Sequence, residues 1–341
     1  MKMWVLFVAA AAMLFAEQPD VTNAVFESRA FAGSLGSELQ SMDGAWFGYA
    51  VKTIQSGGEN CCSDNGGGRR CTLEDGATMI GAHGRSKVTG KLEGTDTAAV
   101  LFRVAENRVE KVGMYSLGCP LDAGGRRFVW ITGVPAQESL RYLEELLRTS
   151  SSEQVQSGAT FAIAQHDAPQ VDGMLERLTR ADRSLKVREN ATFWLGASRG
   201  ENGLAILKKL IASDTDEEIR DKAVFAISIS KDPGAVESLI DTAKHDRSAQ
   251  VRGQALFWLA QKAGVKAFQT IQGAIENDPD TGVKKHAVFA MSQLPTEQSV
   301  PKLIAIARTQ RNAEVRKQAF FWLGQSKDPR ALAFFEEVLA R

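Results

Sequence analysis

Four cysteines, Cys61, Cys62, Cys71 and Cys119, are the residues of this chain best equipped for chemistry, and all fall before residue 120. Thiols can bind zinc, carry redox equivalents or close disulfides. The Cys-x-x-Cys spacing that marks zinc ribbons and thioredoxin-type sites is absent, which counts against the first two. An even number of cysteines in an oxidising compartment favours two structural disulfides. A bridge between adjacent Cys61 and Cys62 would strain the backbone, so each pairs with Cys71 or Cys119, leaving two connectivities open. Gly66-Gly-Gly68 followed by Arg69-Arg70 offers mobile backbone and positive charge. It lacks the strand-to-helix context and spacing of a phosphate loop and reads as a plain loop. His83 and His166 stand apart from any serine or cysteine signature, and no Gly-x-Ser-x-Gly elbow occurs. The sequence therefore predicts no catalytic constellation, no metal site and no cofactor.

The compartment is read from the first residues. Lys2, the apolar run Met3 to Phe15 and the small Ala16 have the order of a signal peptide over 1–16. The run is too short to span a bilayer and nothing comparable follows, so no membrane span is expected. The expectation is an exported protein, periplasmic or secreted, with its signal removed. Lysines plus arginines number 41, as do aspartates plus glutamates, so no global field attracts nucleic acid. Lys284, Lys285, Arg308, Arg311, Arg316 and Lys317 make the C-terminal stretch locally basic, but interspersed acids mark it as a solvated face.

The elements that must position the cysteines lie in residues 17–134. Val21 to Arg29 reads as a strand, and Ala30 to Met42 carries Phe31, Leu35, Leu39 and Met42 at helical spacing. Trp46 to Ile54 alternates like a half-buried strand, and Ser56 to Arg70 is a loop. Ala98 to Ser116 reads as a hairpin turning at Glu106-Asn107. Asp122 to Gly125 turns the chain into a strand over Phe128 to Val134. Together these predict a small α+β domain with an antiparallel sheet. Pro135 to Arg148 then places Leu140, Leu143, Leu146 and Leu147 on one stripe, a junction helix within 135–150.

From residue 151 to 341 one pattern recurs. Its copies begin at Val155, Val187, Ile219, Val251, Val283 and Val315, a constant step of 32. A fixed period of that size is the signature of a stacked repeat architecture. On a helical wheel Val187, Ala191, Trp194, Leu195 and Ser198 share a face, with Arg188, Glu189 and Thr192 elsewhere. Asp182, Asp214, Asp246 and Asp278 recur upstream and suit helix N-caps. A second helix carries Leu207, Leu239, Ile271, Leu303 and Phe335 at the same step. The residue after the recurrent phenylalanine alternates: Ala162, Trp194, Ala226, Trp258, Ala290, Trp322. Its place on the core face of the wheel predicts large-against-small packing between repeats. An exposed ladder for a ligand is the competing reading.

The pattern Asp-x-x-x-x-Val-Arg-x-x-Ala-x-Phe-x-Leu-Gly, with Asp-Pro between helices, resembles the short HEAT-like repeat of the phycobilin-lyase type. Gln156 and Gln310 depart from it, replacing the arginine of the first unit and the aspartate of the last. As a whole the chain is similar to exported bacterial HEAT-repeat proteins with a cysteine-bearing N-terminal domain. That resemblance implies an all-α HEAT-like solenoid of about six two-helix repeats, with the second helices lining its concave surface. Lys209, Glu237, Asp241, Gln269, Glu276, Arg308 and Glu337 are their outward residues. Mixed charge there points to a protein partner of unknown identity and to a non-catalytic scaffold. The alternative is an enzyme or small-ligand-binding protein with its site in the N-terminal domain. Phe334 occupies the position of Ser238, Thr270 and Lys302, beside Phe335 in the usual core slot. It is accordingly expected either to point outward, allowing self-association through the C-terminal end, or to fold over and shield the last core edge.

Overall fold

The computed structural model describes residues 18–39, 41–54, 71–74, 96–181 and 183–340. The chain divides into two compact units that meet at Ala168/Pro169. In the first, strands β1 (Val21–Ala30), β2 (Trp46–Lys52), β3 (Cys71–Thr72), β4 (Thr97–Ala105), β5 (Arg108–Ser116) and β6 (Leu121–Thr132) form one sheet. Its order is β1-β6-β2-β4-β5, with the short β3 also on β6. Helices α1 (Leu35–Leu39), α2 (Ala136–Thr149) and α3 (Glu153–Gln165) complete the unit.

The hairpin β4–β5 turns at Glu106-Asn107, both at positive φ (51° and 56°), the backbone a two-residue hairpin of this hand requires. The sheet is mixed where an antiparallel one is expected: β6 runs parallel to β1, β2 and β3. The turn expected at Asp122 to Gly125 is a bulge inside β6: Gly124 and Gly125 adopt positive φ, the register against β1 slips there, and the strand continues beyond it. The helix expected over Ala30 to Met42 shrinks to five residues, its start set after Gly33 at φ 132°. β2 is buried along both faces, because it lies at the centre of the sheet.

One face of the sheet stacks Phe47 on Phe102 (4.6 Å) and sets Phe102 against Tyr142 of α2. The opposite face carries Trp46, Leu101, Tyr115, Phe128 and Trp130, all at most 1% exposed. Gly48 is needed there, since a Cβ would lie 2.4 Å from the Leu101 side chain. On the hairpin side α3 lies against β5, so closely that a Cβ on Gly158 would fall 2.1 Å from the Val112 carbonyl oxygen.

The second unit is helical. Its helices are α4 (Val171–Leu178), α5 (Leu185–Ser198), α6 (Gly200–Ser213), α7 (Glu217–Ile229), α8 (Ala235–His245), α9 (Ala249–Ala263), α10 (Phe268–Asn277), α11 (Thr281–Ser292), α12 (Thr296–Thr309), α13 (Ala313–Gln325) and α14 (Pro329–Leu339). Odd-numbered helices from α5 to α13 are the first helices of the repeats and pack side by side; the even-numbered ones follow them as second helices. An α+β unit followed by a helical repeat array is the fold class expected.

The N-caps correct one expectation. The capping side chains are Ser184, Asp216, Ser248 and Asp280, two residues beyond the recurrent aspartates, and Asn312, two beyond Gln310. Those aspartates have another task. Asp214, Asp246 and Asp278 each accept hydrogen bonds from an arginine of the preceding repeat: Arg188, Arg220 and Arg252. They also hold the N–H two residues ahead, at Asp216, Ser248 and Asp280. Arg188 and Arg220 are thereby buried, at 5% and 2% exposed, although the wheel sets Arg188 off the apolar face. A helix enclosed on three sides buries more than one stripe. Asp182 lies outside the described residues.

Candidate functional site

The first place to look is where the second helices leave a gap. Cross-helix ion pairs bridge most of this layer: Lys209 with Glu176 (3.6 Å), Lys302 with Glu276 (3.2 Å), and Arg308 with Glu337. α8 contributes no such pair among the described residues, and beside it a groove of about 590 Å³ opens toward α6. Ile211, Ala212 and Ile227 give it an apolar lining; Lys208 and Arg247 bring positive charge, Glu237 and Asp241 negative. His245 Nδ1 meets Asp241 Oδ1 at 2.8 Å, one helical turn apart. Asp246 is already committed to Arg220. Such a groove can hold an extended, dipolar segment by charge at both walls and apolar contact below. Of the outward residues read from sequence, Glu237 and Asp241 line it; Lys209, Glu276, Arg308 and Glu337 are exposed and tied up in bridges; Gln269 is exposed elsewhere in the layer.

A serine and a histidine do meet in the first unit, a pairing the sequence did not announce. Ser139 Oγ lies 2.9 Å from His166 Nε2 and 2.9 Å from the Tyr49 hydroxyl. His166 Nδ1 sits 2.6 Å from the Ala162 carbonyl, which fixes the proton on Nδ1. Ser139 therefore donates to Nε2 and accepts from Tyr49. Burial holds the His166 pKa below its ordinary value, so the ring stays neutral. All three residues are sealed at 0% exposure, so the chain of hydrogen bonds fastens β2, α2 and α3 instead of meeting a substrate.

A second cluster surrounds Glu74. Trp46 Nε1 donates to it at 2.6 Å and Arg103 Nε at 3.0 Å, and Arg126 Nε lies 2.5 Å away. Burial works to raise its pKa, but the hydrogen bonds from Trp46 and Arg126 and the nearby guanidinium charges win, and the carboxyl stays below its usual range. The carboxylate is enclosed by donors and serves as a clamp. Of the cysteines, Cys119 is fully buried and disulfide-bonded. The Cys71 backbone pairs with Leu121 in β3; Cys61 and Cys62 lie outside the described residues, as do His83, the Gly66–Arg70 run and the signal segment. Among the described residues no group of three or more metal-ligating side chains converges.

Phe334 takes the shielding position. It is only 3% exposed, stacks near Phe320 (5.4 Å) and carries Arg308 over its ring at 5.3 Å. Phe335 is the more exposed of the two, so the core slot and the outward slot are exchanged relative to expectation. An association surface cannot be built on Phe334.

The tryptophans also differ. Trp194, Trp258 and Trp322 are half-buried, while Ala226 and Ala290 at the same repeat position are fully buried. Rings touch in sequence along α5, α7, α9, α11 and α13: Phe193–Phe225 at 6.2 Å, Phe225–Trp258 at 4.9 Å, Phe257–Phe289 at 5.5 Å and Phe289–Trp322 at 4.7 Å. The expected packing between repeats is present, Trp258 on Phe225 and Trp322 on Phe289, but it lies at the half-buried edge of the first helices and not in the core, because each first helix is flanked on both sides.

The repeat geometry agrees with the family comparison. A model described as HEAT repeats matches residues 140–228, 171–260, 236–324 and 269–341, together more than half of the chain. The chain belongs to the HEAT-repeat family. No curated protein sequence matches this HEAT-repeat chain. Solved structures similar to it include YibA of Escherichia coli, at 17% identity over 60% of this chain and 76% of that one (TM-score 0.37). Human deoxyhypusine hydroxylase in complex with glycerol is similar at 20% identity, over 60% and 78% (TM-score 0.26). The CpcE–CpcF complex of phycocyanin lyase from Nostoc sp. PCC7120 is similar at 17%, over 56% and 77% (TM-score 0.31).

Proposed function

We propose that this HEAT-repeat protein is a non-catalytic scaffold acting outside the cytoplasm, and that it holds a protein partner through its second-helix layer. The groove between α6 and α8 carries this reading. It joins apolar contact with charges of both signs, and it opens where the bridges across the layer are interrupted. That surface suits a polypeptide segment bearing both an acidic and a basic side chain, and it has no excess of one sign to select a polyanion. The segment 1–16 supports export. The disulfide at Cys119 fits an oxidising compartment and leaves that thiol no role as a nucleophile.

The test is capture from the exported fraction of the source cells with wild type and with the charge-reversed pair Lys208→Glu/Asp241→Lys. A partner retained by wild type and lost by the folded variant supports the reading. Equal capture by both places the interface elsewhere. Hydrolytic or transfer activity of the purified protein would overturn the non-catalytic assignment.

A further inference from the structure

The aromatic row on the first helices lies on a different layer from that groove, and it has a companion. Gln261, Gln293 and Gln325 follow Phe257, Phe289 and Phe321 by four residues, the step that keeps them on one helix face. All three glutamines are exposed, and the ring contacts between α9, α11 and α13 set the three helices in register. The result is two parallel rows, one of half-exposed aromatic edges and one of neutral amides. Phe321, at the end of the row, is 54% exposed.

We propose that this face binds a proline-rich segment in the polyproline II conformation, laid across α9, α11 and α13. Three features select that occupant. Packed helices lie about 8–10 Å apart, and a polyproline II helix advances about 9 Å per three-residue turn. One turn therefore presents the same side of the ligand to each successive repeat. Prolyl rings are flat, apolar and conformationally prepaid, which is the chemistry aromatic-lined grooves recognise. The ligand backbone makes no internal hydrogen bonds, so its carbonyls are available to the glutamine amides.

The experiment titrates oligoproline peptides of three, six, nine and twelve residues into the full chain, following tryptophan emission and heat of binding. The expected result is saturable binding that strengthens with each added turn up to nine residues and changes little at twelve. Gln261→Ala, Gln293→Ala and Gln325→Ala, all exposed and so expected to fold, should each weaken the nine-residue peptide by about three- to tenfold. Lys208→Glu in the groove should leave that affinity unchanged. No binding at millimolar peptide overturns the proposal, as does binding indifferent to all three glutamine variants. Saturable binding of a neutral β-linked oligosaccharide, with the peptides inert, overturns it in favour of a glycan.

Discussion

Replacing Arg220 should unfasten the array more than any surface change nearby. Its guanidinium is 2% exposed and donates through Nε to Asp246 at 3.1 Å, and through Nη1 to the Asp214 and Thr215 carbonyls at 3.0 and 3.4 Å. The Asp246 side chain is equally buried, at 2%. Arg220→Met keeps most of the volume but leaves Asp246 enclosed, with the Ser248 N–H still donating to it at 2.7 Å. Breaking one side of a buried pair typically costs about 3–5 kcal/mol, because a charge is stranded away from water. Arg220→Met/Asp246→Asn removes the stranded charge and keeps an acceptor for Ser248, so it should recover at least about 2 kcal/mol relative to the sum of the single changes. Arg316 is the internal standard. It occupies the same repeat position, makes no ion pair among the described residues, and donates to the Gln310 and Arg311 carbonyls. Arg316→Met should cost only about 1 kcal/mol. Urea unfolding followed by far-ultraviolet circular dichroism measures the wild type, these three variants and Asp246→Asn alone. An Arg220→Met cost no larger than that of Arg316→Met, or a double variant worse than additive, refutes the rung as an interlock.

Trp258→Ala removes contacts to Phe225 and Phe257 from a half-buried site, so the expected loss is about 1–3 kcal/mol, below a full core cavity; thermal melts check it. Gly196→Ala would place a Cβ 2.1 Å from the Ala226 carbonyl oxygen, forcing α5 and α7 apart, and should lower the melting temperature measurably where Gly273→Ala, with open space, does not. His166 has a folded pKa below its unfolded one, so the unfolded chain binds the extra proton. Stability from this residue is whole above the unfolded pKa near 6.5 and declines as pH falls toward the folded value, by up to about 1.4 kcal/mol per pH unit. His166→Gln should flatten that slope in urea titrations between pH 7 and 5. Non-reducing peptide maps of protein made with its first 16 residues should show no free thiol, with Cys61 and Cys62 joined to Cys71 and Cys119.

The repeat array was legible because its determinants are local and recur: Val187, Ala191 and Leu195 are buried at 2% or less, as the wheel requires. What the wheel could not show is how many sides of a helix are covered. Arg188 and Thr192 look like surface on an isolated amphipathic helix, yet both are buried once a neighbouring repeat stands beside them. The same blindness placed the tryptophans in the core on paper, where the structure leaves them half-buried, Trp258 and Trp322 against the phenylalanine of the preceding first helix. In the sheet, the hairpin was visible because β4 and β5 are adjacent in sequence. The parallel pairing of β1 with β6 joins residues a hundred positions apart and leaves no local trace. The Tyr49–Ser139–His166 chain was equally hidden, since its members come from a strand and two helices with no shared spacing. For the groove, Glu237 and Asp241 were readable from charge and helix phase. The break in bridging that opens the groove depends on which partner stands across from each residue.

Because Trp258 lies on Phe225 of the helix before it, while Ala226 at the matching place stays small, the natural module of this array is 64 residues long, twice the period seen in any one unit. Excising a single repeat, for example 219–250, would bring two tryptophan-bearing helices into contact and crowd one indole against another. Removing or duplicating a pair leaves every indole beside an alanine-bearing neighbour. Relatives of different length should therefore have gained or lost their repeats two at a time, and an engineer lengthening the stack should splice in whole pairs.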